Sequence, residues 1–249
     1  RIKGVKNTRQ ITRAMQMVAT SKMKKAQESA KAGRPYALLL ADIIASIADE
    51  FDEVTQSYYV ERPVKHRGIL VIGTDKGLCG ALNSNLFRVL NDVDGSAKFV
   101  SVGKRASQYL SRTRRDLLAD FPLPDKPTFS DIRKVVEFLL RSYDEGRIDT
   151  IEVLFTSFIN TLMQEPELIR LFPLNDLDSM VQKLHQRFGV EEHTALKDSR
   201  EIMIEDRNIV LAELATLYLK QEIYQLVLEA QASEHSARMV AMKTATDNA

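Results

Sequence analysis

The residues best spaced for chemistry form a glycine-rich turn that follows an apolar run. The stretch "GILVIGTDKGLCGALNSN" (68–85) reads as a strand, then a turn with Gly73, Gly77 and Gly80, then the start of a helix. Loops of this kind often cradle the phosphates of a nucleotide, because backbone N–H groups and a helix N-terminus attract anions. A nucleotide site is therefore the first hypothesis that the sequence raises.

The spacing of the turn fits neither common phosphate-binding motif. A P-loop requires a second glycine five residues after the first, and Leu78 stands five residues after Gly73. The dinucleotide fingerprint requires a glycine where Asp75 stands, and a carboxylate there would repel a phosphate. We therefore interpret the glycines as a tight structural turn in which glycine supplies positive φ. Cys79 reads as a small residue of that turn, with a reactive thiol at the helix start as the alternative.

The rest of the sequence offers no other spacing for catalysis or metal binding. Of the four histidines only His185 and His193 are near each other, and no cysteine accompanies them. Adjacent acids such as Asp144 and Glu145 read as solvated surface, and no Ser–His–Asp pattern is present. We therefore predict no metal, no cofactor and no catalysis by this chain.

The elements that hold the turn are two long terminal helices and a central α/β region. The first fifty residues carry a heptad stripe in which Pro35 predicts a kink or break near Gly33. The segment 205–249 carries a second stripe and contains neither Pro nor Gly. We predict that the two helices pair as an antiparallel coiled coil. The predicted stripes are Ala19, Met23, Ala26, Ala30, Gly33, Ala37, Leu40, Ile44, Ile47 and Phe51, and Leu214, Tyr218, Gln221, Gln225, Leu228, Ala232, His235, Met239, Met242 and Thr246.

The central region alternates short β-rich runs with helical patterns. The runs "GILVIG", "AKFVSVG" and "TIEVLFTSF" predict strands, and "PELIRLFPL" is a candidate for one more. The helical patterns are 81–91, 104–112, 130–146 and 176–189, and 190–201 is expected to be a loop. This order predicts the α/β class, with a Rossmann-like, doubly wound parallel sheet inserted between the terminal helices. The predicted parts are residues 1–60, 65–200 and 205–249.

Positive charge is concentrated at the start of the chain. Residues 1–34 carry ten Lys or Arg and one acid, whereas the whole chain of 249 residues has a net charge of +1. Residues 205–249 carry seven acids and four bases, so pairing leaves much of the basic helix for another partner. Nucleic acid, an anionic membrane surface and an acidic protein each fit such a helix. The stripe of small residues favours a protein, and an ordinary solvated face is the remaining interpretation.

Two further observations limit the function classes. The sequence has no apolar run of 18 residues, so we predict no membrane-spanning helix and no direct insertion into a membrane. Cys79 is the single cysteine, so no intrachain disulfide can form. A nucleotide-binding enzyme with helical arms and a nucleic-acid-binding coiled coil stay open as alternative functions at this point.

Three segments carry a strong family signature: "RIKGVKNTRQITRAMQMVATSKMKKAQ" (1–27), "GTDKGLCGALNSN" (73–85) and "ASEHSARMVAMKTATDNA" (232–249). They resemble the gamma subunits of F-type ATP synthases, and the similarity covers the whole chain. Members of that family begin earlier and continue further, so we expect both ends of the sequence to be truncated. The turn and the length look bacterial, with a mitochondrial origin as the alternative.

The resemblance implies a rotor shaft, the central stalk, inside a ring of three alpha and three beta subunits. Proton-driven rotation of the membrane c-ring would drive the catalytic beta subunits through their conformations, and the shaft would regulate ATPase activity and proton flow. The α/β domain would lie near the epsilon subunit and the c-ring, and the protein would be peripheral on the cytoplasmic face of the cell membrane, or on the matrix face in mitochondria. No nucleic acid is expected as a partner.

The resemblance also suggests which residues touch partners and which do not. We expect Met15, Lys22, Lys24, Lys25 and Arg238 to contact the surrounding ring, with ordinary exposed helix surface as the alternative. The nucleotides would belong to alpha and beta, which makes the glycine turn a fold element. The paired cysteines of chloroplast members are missing, so the redox switch of those members is excluded.

Overall fold

A computed structural model of the chain describes residues 2–49, 57–189 and 207–249. The predicted loop 190–201, Phe51 and His193, and the predicted boundaries near residues 200 and 205, lie outside these ranges. Two long helices at the ends of the chain enclose an α/β domain in the sequence, as the fold class predicted.

The terminal helices α1 (Ile2–Asp49) and α6 (Arg207–Asp247) pack along each other in opposite directions. The hydroxyl oxygens of Thr12 and Thr246 are 2.7 Å apart, whereas Gln221 Nε2 donates to the carbonyl oxygen of Gly33 over 3.4 Å. An early residue of one helix therefore meets a late residue of the other, which confirms antiparallel pairing. The small residues predicted to allow close approach do so, since a Cβ on Gly33 would overlap the Gln225 side chain.

Of the kink or break predicted near Gly33–Pro35, the break is wrong, because residues 2–49 form one helix that includes Pro35. A proline inside a helix costs about 3 kcal/mol through a lost hydrogen bond and a clash. Ala37 follows it and is fully buried, and Ala41 and Ile44 are fully buried in the domain core. We attribute the continuity of α1 to this burial, which offsets the local cost.

The sheet has five strands in the order β3-β2-β1-β4-β5. Strands β1 (Arg67–Ile72), β2 (Lys98–Val102), β3 (Asp116–Phe121) and β4 (Thr150–Phe158) are parallel, and β5 (Gln164–Phe172) is antiparallel to β4. The sheet is therefore mixed, which corrects the prediction of an all-parallel sheet. The reason is local: β4 and β5 are joined by a short turn at Asn160–Met163, which can connect only antiparallel strands. Strand β3 was not predicted, since two acids interrupt its apolar pattern "DLLADF".

Helices cover both faces of the sheet. Helices α2 (Leu82–Val89), which continues as a 3₁₀ turn at Leu90–Asp92, and α3 (Lys104–Arg112) pack on one face. Helix α4 (Phe129–Asp144), helix α5 (Leu177–Phe188) and the first part of α6 belong to the core on the other face. The middle strand β1 is buried on both sides, which explains why its sequence is a continuous apolar run rather than an alternating one.

Candidate functional site

The carboxyl edge of the sheet between β1 and β4 is where doubly wound folds usually bind ligands. In this chain α6 crosses that crevice, and Val227, Ala230 and Glu234 line what remains of it. The remaining cavity is about 60 Å³. Small-molecule sites usually measure about 300–1,000 Å³. The crevice between β1 and β4 is therefore too small for a nucleotide, and a separate cavity of about 670 Å³ borders the turn at Cys79 and Gly80.

The three glycines lie together in the turn between β1 and α2, and they serve different purposes. Gly80 has a φ of +59°, as expected for a glycine in a tight turn. Gly73 and Gly77 do not have positive φ, so that part of the prediction is wrong. A Cβ on Gly73 would lie 2.8 Å from the Cβ of Ala106, so this glycine permits close packing of the turn on α3. The other residue of the turn with positive φ is Leu78, at 62°.

Hydrogen bonds within the domain satisfy the polar groups of the turn. The hydroxyl of Thr74 donates to the carbonyl oxygen of Lys76 over 2.8 Å, and the Asn83 amide donates to the Thr74 hydroxyl over 2.8 Å. One carboxylate oxygen of Asp75 accepts from the backbone N–H of Lys104 over 3.0 Å, at the start of α3. The turn therefore holds three segments of the domain together, and Asp75 is used as an internal cap.

Cys79 is 2% exposed, and burial raises the pKa of its thiol. A nucleophilic cysteine needs a lowered pKa and access to solvent. These two facts favour the structural interpretation of Cys79 over the reactive thiol.

Arg238 of α6 joins the paired helices α1 and α6, which we call the shaft, to the glycine turn. Its Nη2 atom donates to the carbonyl oxygens of Lys76 and Gly77 over 3.3 and 3.2 Å, and it lies 2.7 Å from Glu234. The Arg238 side chain is only 12% exposed. The structure thus gives Arg238 intramolecular partners, and its contact with a surrounding ring stays a prediction.

A second tie crosses from the shaft to the domain beside the first. Lys22 Nζ of α1 lies 2.8 Å from Asp125, and this lysine lowers the pKa of the Asp125 carboxyl through a hydrogen bond and its charge. Both side chains are substantially exposed, so the pair is a weak surface contact. We give the name neck to the contacts of Lys22 and Arg238 with Lys76, Gly77 and Asp125 of the domain, together with Glu234, which pairs with Arg238.

His235 also lies at the neck and is neutral near pH 7. Burial and the nearby cations Arg238 and Lys22 lower the pKa of His235 to about 4. Its neighbour Glu234 has a raised pKa, mainly because it is buried. Arg238 therefore stands between an acid whose charge it stabilises and an imidazole that burial, with help from Arg238, keeps uncharged.

Beyond the neck, the outer part of the shaft exposes basic and apolar side chains together. The predicted contact residues Lys24 and Lys25 are exposed, and Met15 is half-buried. Ile11, Met17 and Val18 of α1 are 57–62% exposed, which is unusual for large apolar side chains in such close sequence. Further exposed bases of α1 are Lys3, Lys6, Arg9, Arg13 and Lys31. A surface of this composition is suited to a protein partner.

The sequence analysis missed a buried charge cluster on the domain side of the shaft. Arg187 of α5 lies 2.6 Å from Glu229 and 3.6 Å from Glu222, both on α6. Glu229 also accepts from the Ser157 hydroxyl over 2.9 Å and from the Phe158 backbone N–H over 3.2 Å. The partners come from three elements far apart in sequence, so no spacing could have indicated the cluster.

Two absences from the described ranges bear on other functions. Among residues 2–49, 57–189 and 207–249, no helix is long and apolar enough to cross a membrane. Within the same ranges, no group of His, Cys, Asp and Glu is arranged to hold a metal ion.

A domain whose ligand crevice is filled by its own terminal helix, and which carries a two-helix rod with a basic and apolar surface, defines a class of rod-bearing structural subunits. Comparison with known proteins gives the family. Residues 1–249 match the family model described as ATP synthase. The chain belongs to the ATP synthase gamma chain family.

Individual relatives support that assignment over the whole chain. The ATP synthase gamma chain of Opitutus terrae is 48% identical over 250 residues, which cover 100% of this chain and 85% of the relative. The ATP synthase gamma chain of Bordetella pertussis is 40% identical over 259 residues, covering 100% and 86%.

The fold resembles solved ATP synthase structures. The central stalk and c-ring structure of the Tetrahymena thermophila mitochondrial enzyme contains a chain with a TM-score of 0.68 at 23% identity, covering 94% of this chain and 99% of that one. A chain of the Euglena gracilis mitochondrial ATP synthase rotor has a TM-score of 0.65 at 16% identity, covering 99% and 88%. These likenesses confirm the predicted architecture of an α/β domain on paired terminal helices.

Proposed function

We propose that this chain is the central-stalk shaft of a rotary F-type ATP synthase. It couples proton-driven rotation of the membrane ring to the conformational cycle of the catalytic beta subunits. The observation that carries the proposal is the antiparallel rod of α1 and α6, in a chain that matches the gamma chain family over its full length. At 1.5 Å per residue the 41 residues of α6 span roughly 60 Å, which is long enough to reach through a ring of large subunits.

The composition of the rod suits a part that must turn. A strong, specific contact at one angle would become an energy barrier to the next step of rotation. Exposed lysines such as Lys24 and Lys25 offer acidic partner surfaces an attraction that solvent and salt screen. Together with Met15, Lys22 and Arg238 they are the residues that we propose as contacts with the ring.

The neck and the buried cluster suit the transmission of torque. Rotation of the c-ring would act on the α/β domain, and the force must pass into α1 and α6 without slippage. Arg238 and Arg187 each join a shaft helix to another part of the domain through charged hydrogen bonds, and the exposed pair of Lys22 with Asp125 adds a weaker contact. We propose that these ties keep shaft and domain turning as one body.

The proposed partners are three alpha and three beta subunits around the shaft, with epsilon and the c-ring at the α/β domain. We propose that residues 1–60 are the first segment of the shaft, residues 65–200 the partner-binding domain, and residues 205–249 the second segment of the shaft. Membership of the gamma chain family supports a protein partner for the basic arm over nucleic acid.

We propose that the chain itself is not catalytic and that it controls ATPase activity and proton flow through its shape. The small size of the crevice between β1 and β4, about 60 Å³, supports this, because a nucleotide-binding enzyme with a doubly wound sheet would hold its ligand there. The bacterial origin of the similar gamma chains supports a peripheral position on the cytoplasmic face of the cell membrane. The matrix face of the mitochondrial inner membrane is the alternative.

Native mass spectrometry tests the shaft directly. The full-length chain is co-expressed with the alpha and beta subunits of its own source, and the purified complex is weighed intact. We expect three alpha, three beta and one copy of this chain, because only an axial element serves a ring of six with a single copy. A chain that stays alone, or that binds in several copies per ring, contradicts the proposal.

A calorimetric titration of the isolated chain with ATP tests the absence of a nucleotide site. No heat of binding is expected at micromolar concentrations. Stoichiometric binding would revive the alternative of a nucleotide-binding enzyme.

A further inference from the structure

A cavity of about 660 Å³ lies between β5, α5 and α6, and none of its lining residues belongs to the neck. Its volume falls within the usual range of small-molecule sites, about 300–1,000 Å³. Buried side chains from all sides of the cavity contribute to its lining, namely Leu171, Leu174, Leu184, Tyr218 and Glu222. The shaft function proposed above makes no use of this cavity.

Glu222 is the unusual member of this lining. It is 1% exposed, and its Oε1 atom accepts no hydrogen bond from any residue in the described ranges. Its Oε2 atom lies 3.6 Å from Arg187 Nη1, which is an ion pair without a short hydrogen bond. A buried carboxylate oxygen without a donor costs free energy, so such an atom calls for an explanation. A ligand that supplies the donor is one.

The charge balance around the cavity indicates the sign of such a ligand. Arg187 and Arg170 belong to the lining, but each also has an acid from outside it, Glu229 at 2.6 Å and Glu61 at 3.5 Å respectively. The charges of these two arginines are therefore balanced by the two outside acids. The lining then retains the acids Glu167, Asp176 and Glu222 against the single base Lys183. The cavity therefore favours a positive ligand over a negative one.

We propose that this cavity binds a small organic amine, whose ammonium group donates to Glu222 Oε1 while its apolar body packs against Leu171, Leu184 and Tyr218. Arg187 pairs with the other oxygen of this carboxylate, Oε2, and is itself held by Glu229. Glu222 is therefore positioned before the ligand arrives. A carboxylate ligand would meet Glu222 with a like charge. A neutral alcohol would gain the apolar contacts but only an uncharged hydrogen bond, which is weaker.

Three probes with one body and different charges test the proposal: benzylamine, benzyl alcohol and benzoate. The full-length chain is labelled in its methionine methyl groups, assembled with unlabelled alpha and beta subunits and measured at pH 8, above the Glu222 pKa of about 7. Met180 lines the cavity and reports binding there by its methyl shift, while the exposed Met163 of the domain reports non-specific effects. We expect benzylamine to shift Met180 saturably, with an affinity at least about tenfold above that of benzyl alcohol, because a charged hydrogen bond is the stronger one. Benzoate should leave Met180 unchanged.

Two variants separate the carboxylate from the cavity itself. Glu222→Gln should lower the benzylamine affinity to that of benzyl alcohol and leave the latter unchanged. Asp178→Asn, on an exposed residue of α5 outside the lining, is the matched control and should change neither. Ser179→Trp should fill the cavity and abolish binding of both probes, which keeps the test decisive even if Glu222→Gln fails to fold.

Two results would overturn the proposal. One is equal affinity for all three probes, and the other is no saturable shift of Met180 at millimolar benzylamine. Either result would leave the proposed shaft function intact, because that function is tested by the stoichiometry of the complex.

Discussion

Gly73 and Gly80 stand in one turn for different physical reasons, and substitution separates them. Gly73→Ala places a methyl group 2.8 Å from the Cβ of Ala106 in a packed contact, so we expect a loss of about 1–3 kcal/mol in the free energy of unfolding. At Gly80 a Cβ meets open space, but the φ of +59° costs an alanine about 1–2 kcal/mol. Urea unfolding of the full chain measures both.

Gly95 is the matched control for this pair. A Cβ there meets open space, and its φ is not positive, so Gly95→Ala should leave stability unchanged. A Gly73→Ala variant as stable as Gly95→Ala would contradict the packing role of Gly73.

Arg238 is expected to matter for stability as well as for turnover. Arg238→Ala removes two hydrogen bonds to the turn and leaves the buried Glu234 without its partner, which should cost about 2–4 kcal/mol. The resemblance of the sequence to gamma subunits suggests a ring contact for Arg238, whose loss would lower ATPase turnover without affecting the fold. Unfolding of the free chain and ATPase activity of the assembled complex, measured on the same variant, separate the two roles.

A double-mutant cycle provides the control for Arg238. Glu234→Gln should cost less than Arg238→Ala, and the two changes together should cost less than their sum, because they break one ion pair. Strict additivity would mean that the two side chains do not interact in solution.

Glu222 makes stability depend on pH in an identifiable direction. Burial raises the pKa of Glu222 to about 7, above the 4.5 of an exposed glutamate, so the folded state holds this proton more tightly than the unfolded state. Stability from this group is complete below about pH 4.5 and is lost as pH rises towards 7, by up to roughly 3 kcal/mol. Glu222→Gln should therefore be more stable than the wild type at pH 8 and lose that advantage at pH 5, as measured by urea unfolding at both values.

Glu229→Gln is the control on the same helix. Glu229 makes the short contact with Arg187 and accepts from two groups of β4, so its replacement should destabilise the chain at both pH values. A Glu222→Gln variant that is less stable than the wild type at pH 8 would show that its ion pair with Arg187 outweighs the burial of its charge.

At the scale of elements, the sequence predicted what local patterns determine. The heptad stripes placed Ala37 and Ile44 of α1 and Leu228 of α6 on buried faces, and all three are buried. Helix α3 has the predicted bounds of 104–112. Pro35 led to the wrong prediction of a break in α1 because the cost of a proline is visible locally in the sequence. The burial that compensates for it depends on residues far away in the sequence. Strand β3 was missed because the acids in "DLLADF" hide its pattern, and an edge strand tolerates them.

The candidate site was predictable only in part for the same reason. The turn and the rod are local features, and both were recognised from sequence. The contact between them is not local, since Arg238 and Gly77 are 161 residues apart and neither motif indicates that it contacts the other. The cluster of Arg187 with Glu222 and Glu229 was invisible in the same way.

The register of α1 on α6 can be tested by cross-linking. The hydroxyls of Thr12 and Thr246 are 2.7 Å apart and buried, so cysteines at both positions are close enough for a disulfide. In a Cys79→Ser background, Thr12→Cys with Thr246→Cys should form an intrachain cross-link on mild oxidation, detected by a shift in gel mobility. Thr12→Cys with Thr244→Cys is the control and should remain reduced, because Thr244 is exposed. Equal cross-linking of the two pairs would contradict the described register.

At the scale of the whole molecule, we expect the exposed charges of the rod to contribute to partner binding rather than to the stability of the free chain. Lys24→Gln with Lys25→Gln should leave the stability of the free chain unchanged, since both side chains are exposed. In the assembled complex each lost charge contact is worth at most about 1 kcal/mol and the variant loses two, so we expect ATPase turnover to change by less than about thirtyfold and less at high salt. Lys134→Gln, an exposed lysine of α4, is the control and should have no effect. Turnover equal to the wild type at low salt would remove Lys24 and Lys25 from the proposed contacts.

The antiparallel rod also has a consequence for how the chain is made. Thr12 meets Thr246 across a separation of 234 residues, so α1 leaves the ribosome long before the helix that covers it. Contacts of such long sequence separation form late and slow down folding. During synthesis the stripe of α1 that α6 will bury, with Ala19, Ala26 and Leu40, has no helix to cover it. The nascent α1 therefore exposes apolar surface until either a chaperone binds it or translation is completed. The helix that is made first thus carries the risk of aggregation.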